Sequence, residues 1–174
     1  MIADVVENGL DKAPVSRIAK RAGVSAGTIY VYYPNKDEML QSIYLEIKSL
    51  LHDAMMTASG PGADSAKRIR SMWFAMFGFM LENPDMFAFH EIVAAEKLLG
   101  PDQLEEVAGM AGDIHGVLGD AINDRTLKDM PMDCVISLLF GPAVNLARRM
   151  LSGGSHDLQK ADLVFRSIWT GIAR

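Results

Sequence analysis

Apolar residues recur at spacings of three and four along the whole chain, and period-2 runs bounded by turn residues are absent. The pattern predicts an all-α protein. A short first element with Ile2, Val5 and Val6 ends near Asn8-Gly9, where glycine suits a left-handed helix terminus. Helices follow over 15–22, 25 to about 33, and about 36–58. Pro34-Asn35 divides the last two, because the residue before a proline is pushed out of the helical region. Ser59-Gly60-Pro61-Gly62 is the clearest boundary, and further helices are expected at about 64–82, 85–99, 102–125, 132–152 and 157–172. Their separators are Asn83-Pro84, Gly100-Pro101, Met130-Pro131 and Ser152-Gly153-Gly154-Ser155. The predicted organisation is a three-helix module over 1–47 and a larger helical body over 48–174.

The informative segment runs from Val15 to Pro34. A helix-turn-helix needs a small residue where its two helices cross, and Ala19 supplies it. It also needs a residue tolerant of positive φ in the turn, and Gly23 stands four positions later. Ile18, Ala22, Val24 and Ile29 form an apolar seam, and Ser25 is placed to cap the second helix. On that helix Ile29 and Tyr33 suit a core, while Thr28, Val31 and Tyr32 share a face fit for a major groove. Ala26 and Gly27 permit close backbone approach. Net charge is −5, which argues against nucleic acid until its distribution is read. Five of the 17 basic residues and none of the 22 acidic ones fall between Lys12 and Lys36, so positive potential is local. Lys36 opens a helix, where a cation opposes the dipole; this suits a phosphate contact better than helix stability.

The run Ile18-Ala-x-x-Ala-Gly-Val-Ser-x-Gly-Thr-Ile-Tyr-x-Tyr-Tyr-x-Asn-Lys-x-x-Met-Leu40 resembles the N-terminal signature of the TetR family of regulators. The likeness covers residues 1 to about 47; beyond residue 60 it is architectural. It implies an all-helical homodimer that binds a double-stranded DNA operator and is released by a ligand, expected here to be a small apolar effector. Thr28, Tyr30, Tyr32 and Lys36 match the family's phosphate-contacting positions. Ser16, Arg17, Ser25, Ala26, Gly27 and Val31 match positions of base-edge or groove contact, where only Arg17 offers a long polar side chain. Phosphate contacts position a protein and base contacts specify the site, so little of the operator sequence is legible. The family's first helix usually starts about a dozen residues earlier, so the first helix here is expected to be shortened. The alternative reading is a helical small-molecule binder that lost DNA binding by that route.

In the body, Met72, Met76 and Met80 lie at i, i+4 and i+8, beside Trp73, Phe77 and Leu81. Such a stripe reads as core, or as the wall of an apolar effector cavity to which Phe87, Phe89 and His90 add. On the second reading Trp73, Met76, Phe77, Met80 and Phe89 line the cavity, with His115 or Asn145 as polar anchors. Gly109, Gly112, Gly116 and Gly119 share one helical face, read as close packing or as a soft helix that yields to a ligand. Pro142 inside a helix predicts a kink.

The helices at 132–152 and 157–172 are apolar around more than one face. They are expected to form a four-helix dimer interface with a second copy, through Phe165, Ile168, Trp169 and Ile172. A twofold axis would then set two recognition helices for successive major grooves, roughly 34–36 Å apart. His52, His90, His115 and His156 show no metal-binding spacing, and no nucleophile elbow, phosphate loop or cofactor turn is present. One cysteine, Cys134, excludes an internal disulfide. No apolar run reaches the roughly 18 residues of a membrane span, and residues 1–9 lack the features of a signal peptide. The expectation is a soluble cytoplasmic regulator without cofactor, metal, membrane partner or enzymatic activity.

Overall fold

The computed structural model describes residues 1–60, 62–153 and 157–174; Pro61 and the Gly154-Ser155 separator, with His156, lie outside the described residues. Nine helices are described: α1 (Ile2–Asn8), α2 (Val15–Ala22), α3 (Ala26–Tyr32), α4 (Lys36–Ser59), α5 (Ser65–Glu82), α6 (Pro84–Ala95), α7 (Pro101–Asn123), α8 (Met132–Gly153) and α9 (Leu158–Ile172). Among the described residues there is no strand, only an isolated bridge between Leu127 and Ala173.

The helix ends follow from local chemistry. Gly23 adopts φ 71°, ψ 22° after α2, and its N–H reaches the carbonyls of Ala19 and Lys20. Asn35 and Glu38 cap α4 reciprocally: the Glu38 N–H donates to Asn35 Oδ1 at 2.9 Å, and Asn35 Nδ2 donates to the Glu38 carboxylate at 3.0 Å. Two helices stop short of the predicted ends. α6 closes at Ala95 rather than 99, because Lys97 turns to φ 53°. α7 closes at Asn123 rather than 125, because Arg125 takes φ 66°.

The chain divides into two compact units, the first comprising residues 1–50 with 83–107, the second 51–82 with 108–174. In the first, α1 packs on α6 and α2 on α3. In the second, α5 and α9 pack on α8, around Trp73. The indole stacks on Phe77 at 5.4 Å and meets Phe165 edge-on at 5.3 Å. Its N–H donates to the Leu139 carbonyl at 2.8 Å. Pro142 lacks the N–H that would reach the Leu138 carbonyl four residues earlier, and one residue further on the Leu139 carbonyl accepts the indole N–H, which ties α5 to α8 beside that break. The glycine face of α7 is not a close-packing surface. Gly109, Gly112 and Gly116 are exposed, and a Cβ added at any of the four would meet nothing within 4 Å.

Candidate functional site

The helix-turn-helix is built from α2, Gly23 and α3. Val15, Ile18 and Ala19 bury one face of α2, and Ala19 is the small residue at the crossing. Ser25 caps α3, its Oγ accepting from the Thr28 N–H at 3.0 Å. α3 buries no residue completely. Ile29 and Tyr33 are partly covered, while Tyr30, Val31 and Tyr32 stand 51%, 80% and 75% exposed. Apolar surface is thus displayed on one face of the second helix. The seam is narrower than the sequence pattern predicts, because Ala22 and Val24 are exposed.

The structure places the remaining predicted contacts as follows. Ser16, Ser25, Gly27 and Thr28 are exposed and Ala26 is partly covered. A Cβ at Gly27 would stand 3.6 Å from Ser25 Oγ, an ordinary contact, so Gly27 is small without being sterically required. Arg17, expected at a base or groove contact, is held within the protomer in this conformation. Its Nε donates to the buried Asp4 carboxylate at 2.9 Å, and a second nitrogen bonds the Lys12 carbonyl. It therefore fastens α2 to α1. Arg21 forms a two-pronged pair with Glu7, both contacts 3.1 Å, which holds the Glu7 carboxyl below its usual range. Lys36 Nζ donates to the Leu10 carbonyl, so its ammonium is held at the α1–α2 connection in this conformation. Lys12 and Lys20 make no ion pair among the described residues. A cavity of about 430 Å³ opens beside Lys36, lined by Leu10, Lys12, Leu40, Ile92 and Glu96 among others.

The predicted effector stripe is packed. Trp73, Met76, Phe77 and Met80 are buried in the second unit, and Phe89 is buried in the first. The polar anchors assigned to that stripe lie elsewhere. His115 is exposed, and Asn145 lines an open groove with Pro142, Leu146, Arg149 and Val164. The dimer stripe also divides. Phe165 and Ile172 are buried within the protomer and unavailable to a partner, whereas Ile168 and Trp169 are partly exposed. The apolar surface left uncovered lies instead at Leu138, 47% exposed, and Leu163, 59% exposed. α8 is long and apolar enough by composition to cross a membrane, with mean hydropathy 1.3 and only 28% of that window buried. Among the described residues no group of three His, Cys, Asp or Glu is placed to hold a metal.

Residues 5–43 match the family model for bacterial regulatory proteins of the tetR family. That segment, which spans the helix-turn-helix, is of the tetR-family type. Across the rest of the chain the likeness extends as fold. A TetR-family transcription regulator from Marinobacter aquaeolei VT8 superposes with TM-score 0.89 at 24% identity, covering 99% of this chain and 91% of that one. The regulator FadR from Bacillus subtilis, solved in complex with stearoyl-CoA, superposes with TM-score 0.79 at 20% identity, covering 98% and 95%. By sequence, the fatty acid metabolism regulator protein of Bacillus subtilis (strain 168) is 26% identical over 151 residues, 86% of this chain and 72% of that protein. The chain spans about half the length of the next curated relatives it matches.

Sequence reasoning missed two features of the first unit. One is the Asn35–Glu38 capping box, present in the sequence as N-x-x-E. The other is a cluster of Tyr44, Lys48 and His90, signalled by a lysine one turn beyond buried Leu40 and Tyr44 on the same helical face.

Proposed function

We propose that this chain is a ligand-responsive transcriptional repressor, a cytoplasmic homodimer without enzymatic activity, released from its operator by a fatty-acyl effector. The observation that carries the DNA-binding part is α3. It is capped by Ser25 and seated on α2, with Thr28, Tyr30, Val31 and Tyr32 facing outward. Exposing apolar surface forgoes roughly 25 cal/mol per Å² of burial, a cost that a groove-facing helix recovers only on binding. Ser16 and the α3 residues meet the groove, and Tyr30, Tyr32 and Lys36 meet phosphate once Lys36 leaves the Leu10 carbonyl. Lys12 and Lys20 add local positive charge. Nothing observed favours the alternative of a small-molecule binder without DNA binding.

Residues 1–47 serve as the DNA-binding domain and 48–174 as the effector and dimerisation body. α6 belongs to the body by sequence, yet it packs on α1 of the DNA-binding helices. That contact supplies a route by which ligand binding reaches the operator. The acyl class is supported by the Bacillus subtilis fatty acid regulator and by the stearoyl-CoA in the FadR structure. The Trp73–Met80 stripe is then a closed core that must part to admit an acyl chain. Dimerisation uses α8 and α9 through Leu138, Leu163, Ile168 and Trp169. The test is a gel shift with DNA from upstream of the encoding gene, with and without palmitoyl-CoA. A specific complex that dissolves at micromolar palmitoyl-CoA is expected; a complex indifferent to every acyl compound removes the effector assignment.

A further inference from the structure

Lys48 lies one turn after Tyr44 on α4, so both project from one face of the helix. Tyr44 is 6% exposed and stacks on His90 of α6, with ring centroids 4.9 Å apart and planes within 12°. All three residues belong to the first unit. Lys48 makes no ion pair or hydrogen bond among the described residues, and burial pushes its ammonium below the usual lysine range. His90 Nε2 is buried with no hydrogen-bond partner. Burial, reinforced by Lys48, lowers the imidazole to about 4, so it is neutral near pH 7. Glu91, adjacent in sequence, exerts only the smallest of the three influences on that ring.

The buried, unpaired His90 Nε2 is costly to leave without a partner, and the half-buried Lys48 ammonium makes no ion pair of its own. With Glu91 the weakest of the three influences on the ring, the two describe a site short of an acceptor. One oxyanion satisfies both, accepting from Lys48 Nζ and from His90 in its Nε2–H tautomer, while the Tyr44 ring fixes the imidazole plane. We propose that Lys48 and His90, with Tyr44 stacked on the imidazole, bind the oxyanion head of an amphipathic effector, a carboxylate or a phosphate. This rests on the reading of the chain as an acyl-responsive regulator, and it puts the polar anchor on α4 and α6 rather than at His115 or Asn145. Both helices carry it into the unit that contains the helix-turn-helix.

The test uses the full chain, with calorimetric titration and thermal melting as readouts. The probes are palmitate, palmitoyl-CoA, uncharged hexadecanol and inorganic phosphate. Without ligand, Lys48→Met melts at or near the wild-type temperature, because the half-buried ammonium it removes has no acceptor to lose. The same variant and His90→Phe, which keeps the stack on Tyr44, weaken binding of the anionic probes at least tenfold and leave hexadecanol unchanged. Tighter binding of palmitate identifies a carboxylate head, and tighter binding of palmitoyl-CoA a phosphate. Variants that bind both acyl anions within twofold of wild type overturn the site and leave the acyl reading intact. A ligand-free Lys48→Met that melts well below wild type also overturns it, since the ammonium would already be satisfied. If wild type binds neither acyl anion, the acyl reading falls. The site is then decided by phosphate: stabilisation that depends on Lys48 upholds it, and none overturns it.

Discussion

Two helices carry conspicuous apolar and aromatic stripes, and the fold treats them oppositely. α5 buries Ile69, Met72, Trp73, Met76, Phe77 and Met80, and the indole N–H finds a carbonyl inside the protein. α3 buries nothing completely and exposes Tyr30, Val31 and Tyr32. The α5 stripe accounts for itself as stability. The α3 stripe contributes little to folding, and its exposure calls for an external surface to explain it. An apolar stripe in a sequence therefore names a face without naming its partner. What separates the two is the number of helices available to cover each one: α3 packs on α2, whereas Trp73 of α5 has both Leu139 of α8 and Phe165 of α9 against it.

The largest effect that would break this contrast is in α5. Phe77→Ala should cost about 3–5 kcal/mol in denaturant unfolding, through lost burial and the cavity left behind. Tyr32→Ala or Val31→Ala should change stability by less than about 0.5 kcal/mol. A tolerant Phe77 would mean that the α5 stripe lines space rather than core.

A buried polar group sharpens the comparison. His90 is lowered to about 4 in the fold from an ordinary 6.5. The unfolded chain therefore takes up its proton first as pH drops. Stability present above pH 6.5 should decline on acidification, by about 2 kcal/mol at pH 5. The groups that act on the ring are Lys48 of α4, which lowers its pKa, and Glu91 of α6, which raises it. His90→Phe should flatten this part of the profile, as read from urea midpoints between pH 7 and 5. An unchanged profile would place the acid sensitivity elsewhere.

The α3 face itself is tested by Tyr30→Ala with Tyr32→Ala, which should weaken operator binding roughly tenfold with the fold intact. The smallest effect on the protomer belongs to the other uncovered surface. Leu138→Glu with Leu163→Glu should leave protomer stability within about 0.5 kcal/mol, yet halve the mass seen by sedimentation. A dimer that persists would move the interface away from α8 and α9.

The helices and their turns were legible because each is punctuated by local chemistry: Gly23 at positive φ, Ser25 as a cap, Pro84 and Pro101 at helix starts. The helix-turn-helix was legible for the same reason, its contacts being near in sequence. Long-range pairing was not. Arg17 reads as a free cation until Asp4, 13 residues earlier, is seen to hold it. Phe165 reads as interface until its contact with Trp73 shows it turned inward. The glycines of α7 suggested tight packing, but the positions their neighbours occupy depend on tertiary placement that periodicity does not encode. Lys48 was visible on an apolar face, but its missing partner is a property of three dimensions.

The most direct measurement is fluorescence anisotropy of a labelled upstream duplex with wild type and Lys36→Ala, titrated across salt. Affinity should fall steeply as salt rises, with a slope lower by about one in the variant as one phosphate contact is lost. Equal affinity and equal slope for the two proteins would contradict the claim that this helix-turn-helix docks on DNA through α3 and the start of α4.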